Sequence, residues 1–129
     1  MSSRKILTIA GAALMLGACA PAVQQSAGNH SNPQATVAVR NDNWLDITVY
    51  LVRGVQRVRL GSVPSMANAE FRIPQQYVLG VSDVTFQADP IGSRETYESP
   101  PIQVYEGARV QLKIENQMRL SSFAVYPTQ

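Results

Sequence analysis

The sequence predicts an all-β domain, a small antiparallel sandwich of about seven to eight strands. Three observations lead there. From residue 35 onward apolar and polar residues alternate with a period of two along most of the chain, the pattern of strands with one buried face. Clusters of Asn, Asp, Gly and Pro interrupt that alternation at short intervals and supply turn geometries that strand residues avoid. No segment of this region carries the helical period of about 3.6 residues.

In chain order, the first strand is expected over residues 36–40 and ends at Asn41-Asp42-Asn43. The second, 45–53, turns Leu45, Ile47, Val49 and Leu51 inward and Asp46, Thr48, Tyr50 and Val52 outward, and stops at Gly54. Residues 56–61 follow up to Pro64-Ser65, then 69–73 up to Pro74, with a further turn at Gly80. The fifth strand, 83–88, runs into the turn Asp89-Pro90-Ile91-Gly92-Ser93 and a loop holding Glu95, Tyr97 and Glu98. Pro100-Pro101 lead into residues 102–105, which Glu106-Gly107 terminate. Because proline is tolerated chiefly at edges and strand starts, 102–105 is expected to be an edge strand. The clearest alternation is 108–115, where Ala108, Val110, Leu112 and Ile114 oppose Arg109, Gln111, Lys113 and Glu115. Residues 121–126 complete the set, and its connectivity, immunoglobulin-like or transthyretin-like, stays open.

The start of the chain reads differently. Arg4 and Lys5 precede an apolar run from Ile6 to Leu16, which leads into Leu16-Gly17-Ala18-Cys19. That order is a secretory signal, and the run is shorter than the roughly 20 residues needed to span a bilayer. Leu16-Gly17-Ala18-Cys19 resembles the lipobox of bacterial lipoproteins, a resemblance confined to this first part of the chain. It implies cleavage before Cys19 and lipid on the Cys19 sulfur, usually with a further acyl chain on its amino group. A single myristoyl-sized chain anchors only marginally, whereas two anchor stably. The resulting organisation is a signal peptide at 1–18, lipidated Cys19 with a small, polar tether at 19–34, and the β domain at 35–129. Such a tether reaches about 20 Å. Ala20 directly after the cysteine, in place of the Asp of enteric inner-membrane retention, favours the periplasmic face of the outer membrane.

Composition narrows the function. Of 11 basic residues against 9 acidic ones, Arg4 and Lys5 leave with the signal, so the mature charge is balanced and lacks the basic excess of nucleic-acid binders. Cys19 is the only cysteine; lipidated, it leaves no thiol for catalysis, metal binding or disulfides. His30, the only histidine, lies in the tether, where no rigid neighbour can orient it as a base.

The remaining candidates are sparse. Asn41, Asp42, Asn43 and Asp46 surround Trp44 with oxygens, but not at the spacing of a calcium loop; their side chains are expected to bond local backbone. Trp44, the only tryptophan, either caps the end of the core or anchors a partner or sugar. Glu95 and Glu98 are a carboxylate pair of the kind glycosidases use, with nothing that pairs them with a cleft. Arg57 and Arg59, and likewise Arg109 and Lys113, share outward faces on which Glu70 and Glu115 also stand, an ordinary mixed surface.

Accordingly the sequence points to a lipid-anchored envelope lipoprotein whose sandwich is a non-catalytic protein-interaction or scaffold module, without cofactor or metal. Its binding candidates are Trp44, and Gln103 and Tyr105 on the expected edge. A small glycan- or peptidoglycan-binding sandwich using Trp44 is the alternative, and a hydrolase a distant third.

Overall fold

The computed structural model describes residues 33–78 and 83–127. The signal segment, Cys19, His30, the tether up to residue 32 and the turn at Gly80 lie outside the described residues. Within them are eight strands: β1 (Thr36–Asn41), β2 (Ile47–Arg53), β3 (Gln56–Val63), β4 (Asn68–Arg72), β5 (Thr85–Pro90), β6 (Tyr97–Glu98), β7 (Arg109–Ile114) and β8 (Ser122–Tyr126). Single 3-10 turns stand at Gln75–Tyr77 and Met118–Leu120. No helix among the described residues is long and apolar enough to cross a membrane.

The strands form two four-stranded sheets, β4-β1-β7-β8 and β3-β2-β5-β6. Their inner faces make one core, in which Phe86, Ile47, Leu51, Leu112 and Ile114 are completely buried. This is a β-sandwich, as the alternation predicts. One pairing departs from the antiparallel expectation: β1 and β7 run parallel, Thr36 beside Arg109 through Asn41 beside Ile114. They are distant in sequence, so no hairpin dictates their direction; both enter the sheet from the same end.

The registers sort every connection to one of two ends. At one, the tip, lie residues 42–46, 64–67, 91–96 and 115–121. At the other, the base, the chain enters β1 and leaves β8, the β2–β3 turn passes through Gly54 and Val55, and residues 99–108 link β6 to β7. Arg53 closes the base by donating to the Gln76 carbonyl at 3.0 Å and lying 4.9 Å from the centre of the Tyr77 ring.

Seven of the expected segments are strands within two residues of their predicted limits. Residues 102–105 are not a strand. Ile102 alone bridges to Val84, while Val104 is buried between exposed Gln103 and Tyr105. The physical reason lies just before it. The Ser99 amide donates to the Phe86 carbonyl at 2.9 Å, and the Ser99 hydroxyl, standing in for a strand carbonyl, accepts the Phe86 amide at 2.9 Å. Pro100 and Pro101 then offer no N–H, so the ladder lapses until Ile102. The strand that does flank β5 is β6, at Tyr97 and Glu98, in the segment expected to be loop. Two residues are too few for periodicity to register. Asp89 and Pro90, expected in a turn, instead finish β5, and the chain reverses at Ile91–Gly92, where Gly92 has φ +90°.

Gly61 illustrates a constraint that spans both sheets. Between Val49–Gly61 and Tyr50–Arg59 the β2–β3 register shifts, leaving Leu60 as an extra residue, a bulge that increases local twist. A Cβ on Gly61 would lie 2.3 Å from Cε1 of Phe71 on β4. Gly61→Ala is expected to destabilise the domain by about 1 to 3 kcal/mol, the usual cost of overpacking, measured by urea denaturation. Combining it with Phe71→Leu should remove much of that increment; strict additivity of the two changes would show that the ring is not the obstacle.

On the outward face of the β3-β2-β5-β6 sheet, Arg57 lies 3.6 Å from the centre of the Tyr50 ring, donates to Gln87 Oε1 at 2.8 Å and pairs with Asp89. The other Asp89 oxygen, Oδ1, is buried without a hydrogen-bond partner among the described residues.

Candidate functional site

The tip is assembled from buried amides. Asn41 is the last residue of β1 and, by the alternation of its strand, points inward, where it is fully buried. Its Nδ2 donates to the carbonyls of Leu45 at 2.9 Å, Pro64 at 2.9 Å and Val63 at 3.3 Å, while its Oδ1 accepts the Asn43 amide at 2.9 Å. Asn43, also buried, accepts the Leu45 amide on Oδ1 at 2.9 Å and donates from Nδ2 to the carbonyls of Glu115 at 3.1 Å and Asn116 at 3.3 Å. Asp46 Oδ1 accepts the Ser65 amide at 2.9 Å, and the Asp46 carbonyl accepts the Ile91 amide at 2.8 Å. Two asparagines and one aspartate thus tie all four tip connections into one unit.

With Asn41 and Asn43 turned inward, several large apolar side chains stand outward among the exposed polar residues of the tip, Arg94, Glu95 and Arg119 among them. Trp44 is 71% exposed, Met66 62% and Ile91 58%, and Leu45, next to Trp44 in sequence, is exposed as well. Trp44 therefore does not cap the core. Leu45, expected on the buried face of β2, precedes the strand and lies outside the core. Met66 adopts φ 56°, the left-handed region that costs a residue with a Cβ roughly 1 to 2 kcal/mol, where glycine or asparagine would fit without that cost. Strain kept at an exposed apolar residue is characteristic of binding loops.

Two basic residues just below the tip are paired with acids. Arg40 donates to Asp42 at 2.9 Å, and Lys113 pairs with Glu115 and stands 3.8 Å from Asp42. The hydrogen bond to Asp42, helped by its negative charge, raises the Arg40 pKa above its ordinary value. The oxygens around Trp44 do not converge: the side chains of Asn41, Asn43 and Asp46 face backbone groups and that of Asp42 faces two cations. Among the described residues, no group of three His, Cys, Asp or Glu side chains is placed to hold a metal ion.

The other sequence candidates lie elsewhere. Gln103 and Tyr105 belong to the 99–108 connection at the base, so the fold places them at the opposite end from Trp44. Glu98 is exposed on β6 and Glu95 is exposed in the preceding loop, with Tyr97 between them packed against the core. Burial raises the Tyr97 phenol above its ordinary pKa. Arg109 pairs with Glu70 at 3.4 Å across the outward face of the β4-β1-β7-β8 sheet. Sequence reasoning singled out Trp44 but missed Met66 and Ile91, which sit inside turn segments. Their only signal was a large apolar residue next to Pro64-Ser65 and before Gly92.

No family model matches the chain, and no curated protein matches it in sequence. Among solved structures it is similar to the NMR structure of a protein from Eubacterium rectale, at 10% identity and a TM-score of 0.43, over 78% of this chain and 93% of that one.

Proposed function

We propose that the chain is an envelope lipoprotein, anchored through Cys19 at the periplasmic face of the outer membrane, whose sandwich is a non-catalytic module that binds a protein partner through its tip. The observation that carries this reading is the exposure of three large apolar side chains at the tip, Trp44, Met66 and Ile91, on loops tied together by a buried amide network. Its position supports the anchored arrangement. Residues 33–35 enter β1 at the base, so an anchor upstream leaves the tip unobstructed. Trp and other large apolar side chains on a preorganised surface supply most of the energy of protein interfaces. The exposed indole also suits stacking on a sugar ring, which keeps a glycan-binding reading in view.

A photocrosslinking residue in place of Trp44 or Met66, compared with one at fully exposed Val55 on the base turn, separates these readings in cells. Protein adducts at the two tip positions and none at Val55 are expected. Equal labelling at both ends would remove the tip as the site. Sedimentation with purified peptidoglycan that Trp44→Ala abolishes, without protein adducts, would establish the glycan reading instead. In the same cells Cys19→Ser is expected to yield an unprocessed or soluble form; cleavage before residue 19 with membrane retention intact would exclude the lipid anchor.

A further inference from the structure

The two sheets end in four edge strands, β4, β8, β3 and β6, and three of them carry the features by which sheets discourage strand addition. On β3 stand Arg57 and Arg59, and a bulge interrupts it at Leu60. β4 has Glu70 and Arg72 and runs toward Pro74. β6 is two residues long and is followed by Pro100 and Pro101. β8 differs along its length: Ser122-Phe123-Ala124-Val125-Tyr126 holds no charge, proline or glycine, Pro127 stands only beyond its last residue, and its register with β7 is unbroken from Ser122 beside Lys113 to Tyr126 beside Arg109. Among the described residues nothing pairs with its outer edge.

A second observation points the same way. Phe123 pairs with Leu112 and so faces inward, yet it is 36% exposed where Leu112 is fully buried. The core-facing side of the sheet thus ends on an aromatic ring that lacks a neighbour on its open flank.

We propose that β8 adds the β8 strand of a second copy of this chain, antiparallel about a two-fold axis through Ala124, so that two four-stranded sheets continue as one. The occupant follows from the sequence of the strand. This symmetry pairs Ala124 with the partner's Ala124, Phe123 with the partner's Val125, and Ser122 with the partner's Tyr126. On the inward face each Phe123 gains a β-branched neighbour, a favourable cross-strand pair. On the outward face small residues meet at the axis, and no like charges stand opposite each other. A two-fold contact requires a self-complementary patch, and this strand is one. Antiparallel addition leaves the two tips at opposite ends of the pair and away from the shared edge, and the inference does not depend on the tip binding proposed above. A contact of one short strand per copy falls at the small end of interface sizes, below about 1,200 Å². Confinement of anchored copies to one membrane would offset its weakness through effective concentration.

The register supplies the test. Residues directly opposite in an antiparallel pair have Cα atoms about 4.5 to 5.5 Å apart, within the roughly 4.4 to 6.8 Å that a disulfide accepts. The full-length chain is expressed in its own envelope with Ala124→Cys, with Ala38→Cys on the same outward face two strands away, or as a mixture of Ser122→Cys and Tyr126→Cys chains, and dimers are read on non-reducing gels. The unsubstituted chain reports any contribution from Cys19. Ala124→Cys and the mixed pair are expected to give at least tenfold more disulfide dimer than Ala38→Cys or than Ser122→Cys alone, with equal yields and protease resistance showing that all variants fold. Absence of dimer at Ala124→Cys, equal dimer at every position, or a disulfide to a different protein in place of the self-dimer would overturn the proposal.

Discussion

Asn41→Ala is expected to lower the stability of the domain by about 3 kcal/mol, the upper end of the cost of leaving one buried polar group without its partner. The side chain is fully buried and holds three carbonyls and one amide. Alanine leaves those groups without their side-chain partner. Urea denaturation of the domain measures the loss, and a change below about 0.5 kcal/mol, the range of ordinary surface substitutions, would show that the network is not what orders the tip. Asn41→Asp sharpens the expectation. The introduced carboxyl, when protonated, can still donate one hydrogen bond to the carbonyls. When ionised it places a buried negative charge among their oxygens. Its folded-state pKa is therefore raised above the unfolded value of about 3.9. By linkage this variant is closest to the native protein below that pH and loses stability as pH rises above it. The opposite slope, relative to the native protein between pH 3 and 7, would contradict the amide assignment.

Leu112→Ala is the second large effect, expected at about 2 to 5 kcal/mol as a core truncation that leaves a cavity. Leu112 is completely buried in the middle of β7, between Val39 of β1 and Phe123 of β8. The neighbouring Lys113→Ala should stay within roughly 0.5 kcal/mol, although Lys113 pairs with Glu115 and approaches Asp42, because ion pairs between solvent-accessible side chains contribute little. Comparable losses at adjacent positions would mean that the faces of β7 are assigned wrongly.

The candidate site was only partly readable before folding. Trp44 stood out as a lone tryptophan at a strand mouth, but whether its ring turned inward depended on how the loop from Asn41 to Asp46 was tied to distant segments. Two asparagines in a turn look the same in sequence whether they bond one strand end or bridge several loops. The expectation of a strand at 102–105 fails for a similar reason. Pro100 and Pro101 do mark the border of a sheet, yet the ladder they interrupt is the one that would have made residues 102–105 a strand, whereas β8 looked like any other alternating segment.

Local and periodic properties were legible in the chain: which residues of β7, and of β2 from Ile47 onward, face the core, where most strands stop, and that the product is a sandwich. A period of two puts alternate side chains on opposite faces whatever the partner strand is, so those properties survive without knowledge of topology. The tertiary structure alone decided the parallel union of β1 and β7, the separation of Trp44 from Gln103 and Tyr105, the gathering of Trp44, Met66 and Ile91 at one end, and the exposure of β8. Each of these depends on which distant segments become neighbours. That choice is made by long-range packing and backbone pairing, for which no residue in the one-dimensional chain carries a separate mark.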